Sequence, residues 1–165
     1  MRRVKLLGLA MGLLLAAPHG RLEAQKIGFG PQLSWANDAD IGIGVRVVVP
    51  VTTKTPLEVM GSFDYFFPSA PPTVTVRYWE LNGNLVYLPP VKNTPVVPYL
   101  GGGLNIAHGS GGIVGIGSAS NTKAGLNLAG GAKFKPKRTP ILPFLEARVE
   151  ISGGEQFVLT GGVQF

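Results

Sequence analysis

Between residues 41 and 49 the chain alternates strictly. Ile41, Ile43, Val45, Val47 and Val49 fall on one side of an extended backbone, and Gly42, Gly44, Arg46 and Val48 on the other. The last segment repeats the pattern, with Phe157, Leu159, Gly161, Val163 and Phe165 against Val158, Thr160, Gly162 and Gln164. A period of two predicts strands whose two faces meet different surroundings. The same reading places strands at 26–35, 57–67, 77–87, 99–108, 123–135 and 141–151, making eight in all. Three connections, 50–56, 89–98 and 136–140, are bracketed by prolines and each carries Lys or Arg. Proline cannot donate to a ladder, so it belongs where strands stop, and recurrence at every second connection puts these three at one end of the sheet. The connections 36–40, 68–76, 109–122 and 152–156 then lie at the other end.

The sidedness of the pattern sets the solvent. On strand parity Arg46, Lys123, Lys133 and Arg148 share a face with Glu58, Asp64, Glu80, Glu146 and Glu150, with Asn82, Asn84, Asn105, Asn127 and Gln164 between them. The opposite face holds Ile27, Phe29, Leu33, Phe63, Leu81, Leu85, Leu100, Leu104, Leu126, Leu128, Leu145 and Val149. A soluble barrel would put the apolar set inside. The charges are better satisfied in the interior of a barrel whose outside meets hydrocarbon, and an even number of antiparallel strands closes without leaving an unpaired edge in lipid. The expected fold is therefore all-β, a closed eight-stranded antiparallel up-and-down transmembrane β-barrel. Interfacial aromatics agree. With the proline turns facing the periplasm, Trp35, Tyr65, Phe67, Trp79 and Phe157 gather at the external end, and Tyr87, Phe134 and Phe165 at the other. Pro31 and Pro143 fall inside expected strands and call for bulges or later strand starts.

The first residues follow a different logic. Arg2, Arg3 and Lys5 precede an apolar run over 6–17, followed by Leu22, Glu23 and Ala24. A run of about a dozen residues is short of the roughly 20 that a spanning helix needs, so 1–24 reads as a cleaved signal peptide and 25–165 as the barrel domain. Cleavage removes four of the fifteen basic and one of the nine acidic residues, leaving eleven against eight and a net charge of +3. The remaining cations are scattered, which argues against nucleic acid as a partner. A positive mean hydropathy, 24 glycines and 14 prolines suit many short strands and turns. The lack of cysteine removes disulfides and thiolate metal sites, and suits passage through an oxidising periplasm.

Several segments together resemble the small outer-membrane-protein β-barrel family. They are Tyr78-Trp79-Glu80-Leu81-Asn82-Gly83-Asn84-Leu85-Val86-Tyr87, Pro98-Tyr99-Leu100-Gly101-Gly102-Gly103-Leu104, Gly125-Leu126-Asn127-Leu128-Ala129-Gly130-Gly131, Pro143-Phe144-Leu145-Glu146-Ala147-Arg148, and the terminal Phe165. The resemblance implies an eight-stranded barrel in the bacterial outer membrane, reached through the periplasm. It also implies contact with outer-membrane lipid and lipopolysaccharide, and insertion by the barrel-insertion machinery with Phe165 as the assembly signal. The family shares no single catalytic activity, and no cofactor or metal is expected.

The candidate sites are few. The interior network of Arg46, Glu58, Asp64, Glu80, Lys123, Lys133, Glu146, Arg148 and Glu150 reads as a packed, salt-bridged core, because eight strands leave a lumen just wide enough for side chains to fill. Glu80, Glu146 and Glu150 have no spacing that demands acid/base chemistry. His108-Gly109-Ser110 resembles the His-x-Ser arrangement of lipid A deacylase barrels, in which a histidine activates a serine. No acidic residue follows within 109–122, and Gly111-Gly112 departs from the expected Ser-Asn continuation. Gly101–103 and 112–117 lack the Gly-Lys-Ser/Thr of a phosphate loop. Asp38, Asp40 and Glu155 lie in external loops as candidate divalent-cation ligands or solvated groups. Lys54, Lys92, Lys135, Lys137 and Arg138 read as solvated turn residues, and Ile113, Val114 and Ile116 as an external contact surface or a continuation of the hairpin. The expectation is a monomeric structural or interaction protein without an open pore, its external loops a ligand or adhesion surface. A lipid A modifying enzyme using His108 and Ser110 is the alternative.

Overall fold

The structure is a computed structural model, and it describes residues 27–52, 54–113, 115, 117–137, 139–151 and 155–165. The segment 1–24 lies outside the described residues. Eight strands follow in chain order: β1 (Gly28–Ala36), β2 (Asp40–Pro50), β3 (Leu57–Phe66), β4 (Val74–Tyr87), β5 (Val96–Ile113), β6 (Gly117–Phe134), β7 (Leu142–Ile151) and β8 (Glu155–Gln164). Each pairs antiparallel with the next, and β8 returns to pair with β1, so the sheet is a closed up-and-down barrel.

Period-two burial runs around the wall. In β5 Leu104 is 65% exposed and its neighbour Asn105 1%, and in β6 Asn127 is 2% exposed and Leu128 63%. Leu33, Phe63, Leu81, Leu85, Leu100, Leu126 and Leu145 also point outward, while Gln32, Arg46, Asp64, Glu80, Asn82, Asn84, Glu146 and Arg148 are buried. This inversion would be unstable in water, where burying charge costs several kcal/mol per ion and exposing an all-round apolar surface gains nothing. In hydrocarbon a closed ladder pairs the wall N–H and C=O groups that lipid cannot satisfy. Aromatic side chains mark both ends of the apolar band. Tyr65 and Phe67 stack edge-on at 5.3 Å and Phe63 lies 6.0 Å from Trp79 toward one end, and Phe29 lies 6.0 Å from Phe165 at the other.

Both internal prolines are accommodated without bulges. Phe29 donates its backbone N–H to Phe165 O at 3.3 Å, so Pro31, two residues on, also turns its nitrogen toward β8. It has no proton to give, and the paired register of β1 with β8 resumes only at Gln32 and Gly162. Pro143 lies just beyond the last pairing of β7 with β6, at Phe144 and Lys133. Close approach inside the narrow lumen explains two of the glycines. A Cβ on Gly131 would stand 2.6 Å from the Tyr99 hydroxyl, and one on Gly44 2.3 Å from Asp64 Oδ1.

The wall differs from the sequence expectation in one region. Residues 109–113 and 117–122 are strand, not loop. β5 and β6 continue as a ladder from Gly109–Asn121 out to Ile113–Gly117, and β4 begins at Val74 and follows β5 along that extension. Pairing of β3 with β4 stops at Phe66–Tyr78, and that of β6 with β7 stops at Leu126–Ile151. A three-stranded flap therefore stands clear of the barrel. Outside the lipid no apolar face is required, so Gly, Ser and Thr can build a ladder there that carries no hydrophobic alternation.

Candidate functional site

The lumen is filled in layers. Val48, Met60, Val86 and Tyr99 pack together near the end that carries Gly28 and Phe165, with Leu88 against them. Ala36, Ala39, Phe66 and Val158 pack at the opposite end, with Tyr78 against them. Between these apolar layers lies the polar network. Arg148 is its centre: Nε donates to Glu150 Oε1 at 2.5 Å, Nη1 to Glu146 Oε1 at 3.4 Å and Nη2 to Glu80 Oε2 at 3.3 Å, with Asp64 Oδ2 at 3.9 Å. Arg46 donates Nη2 to Glu146 Oε1 at 2.9 Å and Nε to Gln32 Oε1 at 3.0 Å, its guanidinium lying 4.0 Å over the Phe144 ring.

Among the described residues three interior cations, Arg46, Lys133 and Arg148, meet five carboxylates, and neutral donors make up the difference. Gln32 Nε2 donates to both Asp64 oxygens at 2.8 and 2.9 Å, and Ser34 Oγ to Oδ1 at 2.7 Å. Tyr78 donates to Glu80 at 2.7 Å, Tyr99 to Glu146 at 2.8 Å, and Asn105 Nδ2 to Glu150 at 2.7 Å. Buried carboxylates are tolerated when their lone pairs are occupied in this way. Gln32, Ser34, Tyr78 and Tyr99 were not singled out from the sequence. The signal was there, since Tyr78 shares the even parity of Glu80 and Asn82, and Tyr99 the odd parity of Asn105.

The expected network divides on inspection. Arg46, Asp64, Glu80, Glu146, Arg148 and Glu150 come together. Lys133 pairs separately with the half-buried Glu58, nearer the terminal end. Lys123 joins neither. It has interior parity but sits opposite Ala107, beyond the last β6–β7 pair, where β6 has left the barrel wall. There it is exposed, and it lines a recess of about 290 Å³ with Asp38, Tyr78, Asn121 and Gln156. Asn127 Nδ2 donates to Asn82 Oδ1 at 2.9 Å and Asn84 Oδ1 at 3.1 Å, which links the walls of β4 and β6 across the lumen.

His108 and Ser110 share the outward face of β5 just above Trp79. The His108 ring stacks on Trp79 at 5.3 Å, and Nδ1 lies 2.7 Å from Thr122 Oγ1. Ser110 stands opposite Arg77 and Ser120 in the flap. His108 is thus bonded to a threonine on the adjacent strand, not to a serine or a carboxylate. Asp40 Oδ2 accepts the Ser69 N–H at 2.7 Å, which ties the start of β2 to the β3–β4 connection, and Asp38 Oδ1 accepts the Asn37 amide at 3.1 Å within its own turn. Among the described residues no three His, Asp or Glu side chains converge as a metal site. Val114, Ile116 and Arg138 lie outside the described residues, as does the Glu155 side chain, and Ile113 pairs with Gly117 at the tip of the hairpin.

No protein-family model matches the chain, and no curated protein sequence matches it. Solved structures do share its fold. The N-terminal β-barrel domain of Pseudomonas aeruginosa OprF aligns with a TM-score of 0.68 at 12% identity, over 84% of this chain and 95% of that one. Neisserial surface protein A aligns at 0.61 and 16% identity, over 84% and 94%. Ail, the attachment invasion locus protein of Yersinia pestis, aligns at 0.52 and 16% identity, over 84% and 96%. At these identities the likeness shows the fold. A closed ladder with an apolar exterior, aromatic rims and a charged interior is the architecture of a bacterial outer-membrane barrel, and the chain is located there.

Proposed function

We propose that this chain is a structural and interaction protein of the outer membrane, closed to ion flow, which displays the β4–β6 flap outside the cell as a ligand or adhesion surface. The observation that carries the reading is Arg148, held by four carboxylates across the middle of the lumen between two apolar layers. That arrangement supports the barrel mechanically and occupies the path that ions would take. The flap end is external and the proline turns periplasmic on this reading, since the largest excursion beyond the apolar band is the extension of β4, β5 and β6, and in such barrels the large excursions face outward. Attachment in the name of Ail supports the adhesion half of the proposal, because nearly the whole of that structure aligns with this one.

On this reading residues 1–24 are a signal peptide, and 25–165 cross the periplasm and are inserted as a monomer by the barrel-insertion machinery, with Phe165 in the terminal signal. Outer-membrane lipid and lipopolysaccharide surround the product, and nucleic acid has no part in it. Planar bilayers containing the purified barrel are expected to show no stable conductance above the bare membrane, because the lumen is filled by side chains. Reproducible ohmic steps would replace the closed reading with a channel.

A further inference from the structure

The three periplasmic turns share a short motif that the barrel reading leaves unused. Lys54-Thr55-Pro56, Lys92-Asn93-Thr94-Pro95 and Lys137-Arg138-Thr139-Pro140 each place a lysine just ahead of Thr-Pro and of an ascending strand, β3, β5 or β7. The threonines tie the turns down. Thr94 Oγ1 accepts the Val96 N–H and Thr139 Oγ1 the Ile141 N–H, both at 3.1 Å, while Thr55 Oγ1 lies 2.9 Å from Thr52 Oγ1, which accepts the N–H of Lys54. Bonds between backbones hold the same turns against the wall, from Leu88 N to Pro56 O at 2.8 Å and from Lys135 N to Pro95 O at 2.6 Å. Each motif lysine is therefore pinned three to five residues below its strand and is exposed, and none has an ion-pair partner among the described residues. No Asp or Glu occurs in 51–56, 88–95 or 135–141, and Glu58, the nearest in sequence, is taken by Lys133.

We propose that these lysines form a cationic ring at the periplasmic rim that recruits anionic phospholipid, through its phosphate, from the inner leaflet of the outer membrane. The ring's distribution favours lipid over a protein partner. The three turns are separated around the circumference by pairs of strands, so no single docked surface reaches all of them, whereas the lipid annulus touches every one. Its height fits as well. The ring lies just past the outward-facing Phe29, Tyr87 and Phe165, where apolar wall gives way to headgroups. Lysines within a Debye length of an anionic surface are attracted to it, and salt screens that attraction.

The inference rests on the membrane reading, and its test separates the two. The mature chain is refolded into phosphatidylcholine vesicles containing a minority of phosphatidylglycerol. Heat-modifiable migration reports insertion, and spin-labelled lipids report which headgroup populates the annulus. The wild type is expected to prefer phosphatidylglycerol by roughly threefold to fivefold, the factor one well-placed lysine supplies at an anionic surface. Raised salt or the variant Lys54→Gln/Lys92→Gln/Lys137→Gln should bring the ratio close to one. Arginine at the same three positions should keep the preference, and Arg77→Gln/Lys123→Gln at the opposite end should leave it unchanged. An inserted wild type without the preference, or one whose preference survives in the glutamine variant, would overturn the ring. Failure of the wild type to insert at all would overturn the membrane reading as well.

Discussion

Arg148→Met is expected to cost about 3–5 kcal/mol of barrel stability, the loss seen when one partner is removed from a buried ion network. Methionine keeps much of the volume and removes the charge that Asp64, Glu80, Glu146 and Glu150 share. Arg46 reaches only Glu146 among these, so the other three would be held by neutral donors alone. Four carboxylates without their central cation would have to take up protons or admit water, and either route loosens the contact between β3, β4 and β7 across the lumen. Urea unfolding in detergent micelles, followed by heat-modifiable migration, reads the loss directly. Adding Glu80→Gln and Glu150→Gln to Arg148→Met should recover a substantial part of it, because two of the stranded charges are then gone. A stable Arg148→Met barrel would mean that the network is incidental to the fold.

Deleting Phe165 is expected to reduce assembled protein in the outer membrane several-fold, with the remainder degraded or held in the periplasm. The structure supplies a reason beyond the proposed assembly signal. Phe165 exchanges backbone hydrogen bonds with Phe29 in both directions, at 2.9 and 3.3 Å, and its ring lies 6.0 Å from Phe29. Those two bonds lie on the periplasmic side of the gap that Pro31 leaves in the β1–β8 seam. Removing them would leave the seam unpaired from Gln32 to its end, in a medium that offers the freed groups no water. The control must respect the ladder. A single deletion within 109–122 would shift a paired strand and flip its side chains, so the better comparison replaces the outer end of the β5–β6 hairpin by a two-residue turn. Cell fractionation with heat-modifiable protein as the measure should show the trimmed hairpin assembling near the wild-type level. Equal loss in both variants would show that Phe165 has no special place in closure.

What could be read from the chain follows from what lipid demands. Within the membrane each strand must show hydrocarbon one face and the lumen the other, so β1, β2, β7 and β8 carry their register in plain alternation, and Arg46, Glu80, Glu146 and Arg148 are marked by parity alone. Above the membrane that demand lapses. Gly109, Ser110, Gly111 and Gly112 form a ladder with Ser118, Ala119, Ser120 and Asn121, yet nothing in their side chains distinguishes a paired strand from a loop. The position of Lys123 was lost for the same reason. Parity assigns it a face, but height along the barrel depends on where β7 stops pairing with β6, which no local pattern records. Which carboxylates meet which arginine was equally out of reach, since the partners of Arg148 come from β3, β4 and β7 and their convergence depends on closure of the whole ring.

The inverted wall underlies the membrane placement, and a sequence without cysteine allows it to be probed position by position. Single substitutions Leu33→Cys, Leu104→Cys and Leu128→Cys, paired with their neighbours Gln32→Cys, Asn105→Cys and Asn127→Cys, are introduced into the barrel folded in lipid vesicles and treated with a lipid-soluble maleimide. The structure predicts alternation at every pair. The leucine positions should react in the folded barrel, and their neighbours only after unfolding, because the first set meets hydrocarbon and the second is sealed between the apolar layers of the lumen. Reaction at Gln32→Cys, Asn105→Cys and Asn127→Cys with protection of the leucine positions, or no difference within the pairs, would contradict the account.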